Sequence, residues 1–111
     1  LRIEELCKSL DAEIFNAGDI DRDVDKVIVG DLLSFIMGTA SEGSVWVTIQ
    51  AHLNVAAVAV LKDLPMIVIA AGRNAPQDLI DRCIKENICL VSVKSTLYGT
   101  CCKMAGLGFG E

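Results

Sequence analysis

Two hydrophobic rhythms alternate along this chain. Between Arg2 and Leu10, the residues Ile3, Leu6, Cys7 and Leu10 fall at helical spacing with Glu4, Glu5 and Lys8 opposite, which predicts an amphipathic helix. Ala12 to Phe15 reads as a short strand, followed by a turn at Asn16, Gly18 and Asp19. Asp19 to Asp25 sets four aspartates around Arg22 and predicts a solvated loop or an edge segment. Val27 to Val29 predicts a buried strand and Gly30 a tight exit. Asp31 is placed as the N-cap of a short helix to about Met37, closed by Gly38. Beyond the turn Ser41 to Ser44, the β-branched run Val45 to Ile49 predicts another strand.

The segment His52 to Asp63 is apolar nearly all round. Its alanines and a cap position at Asn54 favour a helix, and a helix without a polar face is expected to be covered on two sides. Pro65 turns the chain into a strand from Met66 to Ala71, and Gly72, Arg73 and Asn74 form a loop. Pro76 opens a helix to about Glu86 with a core face of Leu79, Ile80, Cys83 and Ile84. Ile88 to Val93 is the last strand. Ser95 or Thr96 caps a final helix ending near Gly106, and Gly106, Gly108 and Gly110 predict a frayed tail. Three consecutive strand-to-helix units imply parallel pairing with right-handed crossovers. The expected fold is a single layered α/β domain over residues 1–111, a mainly parallel sheet flanked by helices.

Composition narrows the class. The chain is 52% hydrophobic but 5% aromatic, above the usual apolar share of about 45–50%, so disorder is excluded. Its longest apolar runs, Val55 to Leu61 and Met66 to Gly72, fall far short of the roughly 18 residues of a membrane span. So rich a core is expected to continue into a subunit interface, making the protein a homo-oligomer, a dimer in the simplest case. With 15 acidic against 10 basic residues and few rings, the chain supplies neither the positive field nor the stacking platform that nucleic acid requires. Five cysteines without a CxxC pair or a secretory signal imply reduced thiols and a cytoplasmic setting. Cys83 and Cys89 read as small buried hydrophobes, and Cys101 and Cys102 as the exposed pair. The only histidine, His52, is roughly thirty residues from the nearest cysteine, so neither a metal site nor another cofactor is expected.

In an open α/β sheet ligands sit beyond the carboxyl ends of the strands. The residues there are polar: Asp31 after the second strand, Gln50, His52 and Asn54 after the third, Arg73 and Asn74 after the fourth, and Lys94, Ser95 and Thr96 after the last. Arg73 and Lys94 beside helix N-termini suit an anion such as phosphate. Helix capping accounts for Asp31, Asn54 and Ser95 without a ligand, but not for Gln50, His52 and Arg73 together. Asp31, Gln50, His52, Asn54 and Arg73 are therefore the candidate ligand-binding residues. No dinucleotide, P-loop, nucleophile-elbow or zinc-protease motif occurs, and no catalytic residue is assigned.

Several segments together resemble the DRTGG domain family. They are Asp21, Arg22, Asp23, Val24; Val29, Gly30, Asp31, Leu32, Leu33, Ser34 with Met37 and Gly38; Glu42, Gly43 and Val45 to Gln50; His52 to Val60; and Gly72, Arg73. The order and spacing of these pieces carry the resemblance across nearly the whole chain. The name-giving Gly-Gly pair is replaced here by Lys26 and Val27, so the resemblance does not imply a function built on the turn those glycines allow. The resemblance implies an α/β fold like the N-terminal domain of HPr kinase/phosphorylase, and a regulatory or accessory role, alone or beside CBS domains. It does not imply kinase chemistry, whose phosphate-binding loop lies in another domain. The expected function is a noncatalytic, self-associating regulatory module that senses a nucleotide or phosphorylated metabolite. The alternatives are a ligand-free interaction scaffold and, behind it, an enzyme.

Overall fold

The computed structural model describes residues 1–110. Its elements run α1 (Ile3–Ser9), β1 (Glu13–Asn16), β2 (Val27–Val29), α2 (Leu33–Thr39), β3 (Val45–Thr48), α3 (Leu53–Lys62), β4 (Met66–Ile69), α4 (Gln77–Lys85), β5 (Cys89–Ser92) and α5 (Leu97–Gly106). They form one five-stranded sheet in the order β1-β5-β4-β3-β2. β2 to β5 are parallel, in register from Val45↔Met66 to Ile69↔Ser92, and β1 joins the outer edge of β5 antiparallel. The mainly parallel, helix-flanked α/β sheet expected from the sequence is thus the observed fold.

β3, β4 and β5 are buried at every position, as continuous apolar strands must be when helices cover both faces. On one face Trp46, Ile67, Ile69 and Leu90 pack against α2, α3 and α4 through Ile36, Val55, Ala56, Ala59, Leu79 and Cys83. On the other, Val45, Val47, Met66, Val68, Cys89 and Val91 pack against Ile3, Leu6, Cys7 and Leu10 of α1, Met104 of α5 and Phe109.

Four local expectations are corrected and one is filled in. Asp31 does not cap α2: the N-cap is Leu32, and helix α2 runs through Gly38 to Thr39. Asn54 is not the cap of α3 either, because His52 takes that place and its Nδ1 accepts the Asn54 backbone N–H at 3.1 Å. Ile84, assigned to the core face of α4, is 55% exposed, since Leu79 and Cys83 already fill the contact with the sheet. The acidic stretch is the solvated loop or edge segment expected: all four of its aspartates are exposed, and it is held to the chain start by an isolated antiparallel bridge between Arg2 and Asp23, by Ile3 and Glu4 donating to the Arg22 and Ile20 carbonyls, and by the buried Val24. The glycine tail is not frayed through Phe109, which is buried and donates its N–H to the Met104 carbonyl.

Helix α3 lies between α2 and α4 yet keeps an open outer side. Leu53 and Val60 are each 37% exposed and Leu61 is 71% exposed, so the second cover expected for an all-apolar helix is absent from the described residues. No helix among the described residues is long and apolar enough to cross a membrane.

Candidate functional site

The helices leaving adjacent strands β4 and β5 go to opposite faces of the sheet, α4 to one and α5 to the other. Where neighbouring connections diverge in this way, a notch opens at the carboxyl ends of the strands. Here the chain's own backbone spans that position. Ala71 and Gly72, both left-handed at φ 63° and 67°, aim their N–H groups at the Ser95 and Val93 carbonyls, 2.7 and 2.8 Å away. Ala71 pays for this with a backbone conformation that costs a residue bearing a Cβ about 1–2 kcal/mol.

Two strands away, a side-chain network ties the neighbouring loops together. Asp31 Oδ1 accepts from the Thr48 hydroxyl and from the Ile49 N–H, both at 2.8 Å. The Thr48 Oγ1 in turn accepts the Gln50 N–H at 3.1 Å, and Arg73 Nη1 donates to the Ile49 carbonyl at 2.9 Å. The loops after β2, β3 and β4 are therefore joined around Thr48–Gln50, and the bonds from Ala71 and Gly72 add the loop after β5. Beneath the network Trp46 Nε1 donates to the Gly30 carbonyl at 2.9 Å and fixes the residue before Asp31.

The structure brings Asp31 and Arg73 onto the same loop. Gln50 contributes its backbone N–H and leaves its side chain exposed, and Asn54 likewise contributes backbone to the cap. His52 stands at the N-terminus of α3, exposed, with one ring nitrogen engaged as the cap. Thr48 is the member the sequence reading missed. Fully buried, it ends a strand whose other residues are apolar, and that polar terminus was the available signal. Ser95, offered as an alternative cap for α5, instead accepts from Lys103 Nζ at 3.0 Å, and Thr96 takes the cap.

Replacing Asp31 tests the network. Asp31→Ala leaves the buried Thr48 hydroxyl and the Ile49 N–H without their acceptor and is expected to cost about 1–3 kcal/mol, whereas Asp31→Asn keeps an oxygen in place and should cost well under half of that. Chemical denaturation measures both. Equal losses would mean that the charge, rather than the hydrogen bonds, holds the loops.

No protein-family model matches the chain, and no curated protein matches it. Among solved structures it is similar to the CBS and DRTGG domains of the regulatory region of a Clostridium perfringens pyrophosphatase, crystallised with its activator diadenosine tetraphosphate. The TM-score is 0.78 at 17% identity, and the match covers 93% of this chain and 45% of that one. The chain thus spans a little under half the length of this neighbour, and what the two share is the fold. That fold agrees with the DRTGG resemblance of the sequence.

Proposed function

We propose that this chain is a noncatalytic regulatory module that self-associates and senses a nucleotide or phosphorylated metabolite at the carboxyl ends of β3 and β4. The observation that carries the reading is the lacing of successive loops through Asp31, Thr48 and Arg73. A ligand gripping any one of these loops acts on the others through hydrogen bonds already in place. Arg73 is exposed and spends one nitrogen on Ile49, which leaves donors for a phosphate, and the nearby N-terminus of α3 favours negative charge. A carboxylate and a guanidinium anchored on the same residue, Ile49, suit a ligand carrying both hydroxyl and phosphate groups, as a nucleotide does. The neighbour's activator is of that class, although more than half of its chain lies outside the match. Self-association is supported by Leu53, Val60 and Leu61 on the open side of α3.

Thermal unfolding against diadenosine tetraphosphate, ATP, ADP and inorganic phosphate tests ligand binding. A ligand at a hundred times its dissociation constant adds about 2.7 kcal/mol, a rise of roughly 10 °C for a domain of this size. Arg73→Ala and His52→Ala should each weaken binding at least tenfold. A ligand-free scaffold is the second reading, favoured by Arg73 and His52 already serving backbone groups. It gains if no compound shifts the transition, or if both variants respond as the wild type does. Sedimentation tests association: a species of 11.9 kDa at micromolar concentration would overturn it, and Leu61→Glu should dissociate the dimer.

A further inference from the structure

Two thiols from distant parts of the chain meet beneath α1. Cys7 lies on the inner face of that helix, Cys89 opens β5, and their sulfurs are 4.0 Å apart. Cys7 is 4% and Cys89 0% exposed, in a cluster with Ile3, Leu6, Met66 and Val91. One side of the pair is approachable. A cavity of about 460 Å³ between α1 and the edge strand β1 is lined by Glu4, Lys8, Asp11, Ile14 and Ile20, and Cys7 is the only cysteine in its wall. The space greatly exceeds the roughly 30 Å³ of a water molecule, and hydrogen peroxide is little larger.

We infer that Cys7 and Cys89 form a reversible thiol–disulfide site, in which hydrogen peroxide entering through the cavity oxidises Cys7 and Cys89 resolves it, tying α1 to β5. The Cys7 thiol is held below its ordinary range chiefly by the hydrogen bond it shares with Cys89, which outweighs the effects of burial and of Glu4. The Cys89 thiol is pushed up by the same bond and by burial. Cys7 faces the cavity and Cys89 does not, so Cys7 meets the peroxide first and, as its thiolate, is the nucleophile. Its thiolate attacks one peroxide oxygen, the O–O bond breaks, and the other oxygen leaves as hydroxide and takes up the released proton, giving water and a Cys7 sulfenic acid. The Cys89 sulfur then attacks Cys7, the S–O bond breaks, and hydroxide leaves with the Cys89 proton as a second water. Two thiols have given two electrons to one peroxide. The sulfurs must close by about 2 Å to reach bonding distance, a shift of the short helix α1 toward the sheet.

The other thiols are distinguishable. Cys83 is buried in the opposite core and pushed up to about 11 by burial, so it stays protonated, while Cys102 is exposed. The full chain, as wild type and as Cys101→Ser/Cys102→Ser, is treated with hydrogen peroxide below its melting temperature, alkylated in denaturant, digested with trypsin and mapped by mass spectrometry. Cleavage at Lys85 separates Cys83 from Cys89. A Cys7–Cys89 cross-linked peptide is expected in most molecules of both forms, with Cys83 alkylated, both thiols restored by dithiothreitol, and the cross-link lost in Cys7→Ala. Recovery of Cys7 and Cys89 as alkylated thiols, their separate oxidation to sulfinic acids, or a cross-link formed only on unfolding would overturn the inference. The wild-type map decides alone if Cys7→Ala does not fold.

Discussion

Gly18→Ala is expected to cost about 2–5 kcal/mol of folding stability, enough to unfold a marginal domain. Gly18 holds φ at +60°, and a Cβ there would lie 2.4 Å from the Cys89 nitrogen and 2.9 Å from both Cys89 Cα and the Ile88 carbonyl carbon. All three are backbone atoms, so no side chain can swing away. The left-handed conformation contributes about 1–2 kcal/mol and the forced displacement about 1–3. The displaced nitrogen also donates to the Pro65 carbonyl at 2.9 Å, a bond at the entrance of β5. Beside it Asn16 Nδ2 donates to the Cys83 and Ile88 carbonyls at 3.2 and 2.7 Å, so this turn closes the corner between β1, α4 and β5. Urea unfolding followed by circular dichroism measures the loss. Gly38→Ala is the control, because Gly38 lies within α2 with nothing within 4 Å of its would-be Cβ. That substitution should stabilise by about 0.5–1 kcal/mol. A Gly18→Ala loss below about 1 kcal/mol would show that β5 yields to the methyl group.

Trp46→Ala is expected to cost about 3–5 kcal/mol, the range for removing a large buried aromatic side chain. Trp46 is fully buried at the centre of β3, where it packs beneath α2 and α3. Its indole N–H also pins the Gly30 carbonyl, one residue before Asp31, so its loss reaches the loop network as well as the core. Trp46→Phe keeps most of the packing and removes that bond, and should cost about half as much. The link to the site is measured by combining Trp46→Phe with Asp31→Ala. If Trp46 positions Asp31, the two losses fall short of additivity by about 0.5 kcal/mol or more; strict additivity would confine Trp46 to the core.

The expected elements all formed where the sequence placed them, with shifts at their ends, because the signals behind them were local. β-branched runs of four or five residues bounded by Gly, Pro and Asp declare strands in almost any context. The site was only partly legible. Asp31 and Arg73 were found because polar residues after a strand are conspicuous, but Asp31 was given the wrong partner. A carboxylate before a helix has two outlets, the helix N–H groups and whatever the neighbouring strand presents. The strand won because parallel pairing of β2 with β3 brings Thr48 and Ile49 within 2.8 Å of it. His52 capped α3 in place of Asn54 for a related reason: its Nδ1 lies two residues from the N–H it accepts, a reach that an imidazole shares with the usual capping side chains.

By itself the sequence determined the alternation of strands and helices, the burial of the strands on both faces and hence the parallel sheet, since those follow from side chains a few residues apart. Tertiary structure alone decided that β1 pairs antiparallel outside β5, that α4 and α5 leave adjacent strands toward opposite faces, and that Asp31 serves a neighbouring loop. It also decided that Cys7 meets Cys89 across 82 positions of chain. These outcomes depend on which distant surfaces come to face one another. That is set by the packing of the whole core, and no pattern within a single segment records it.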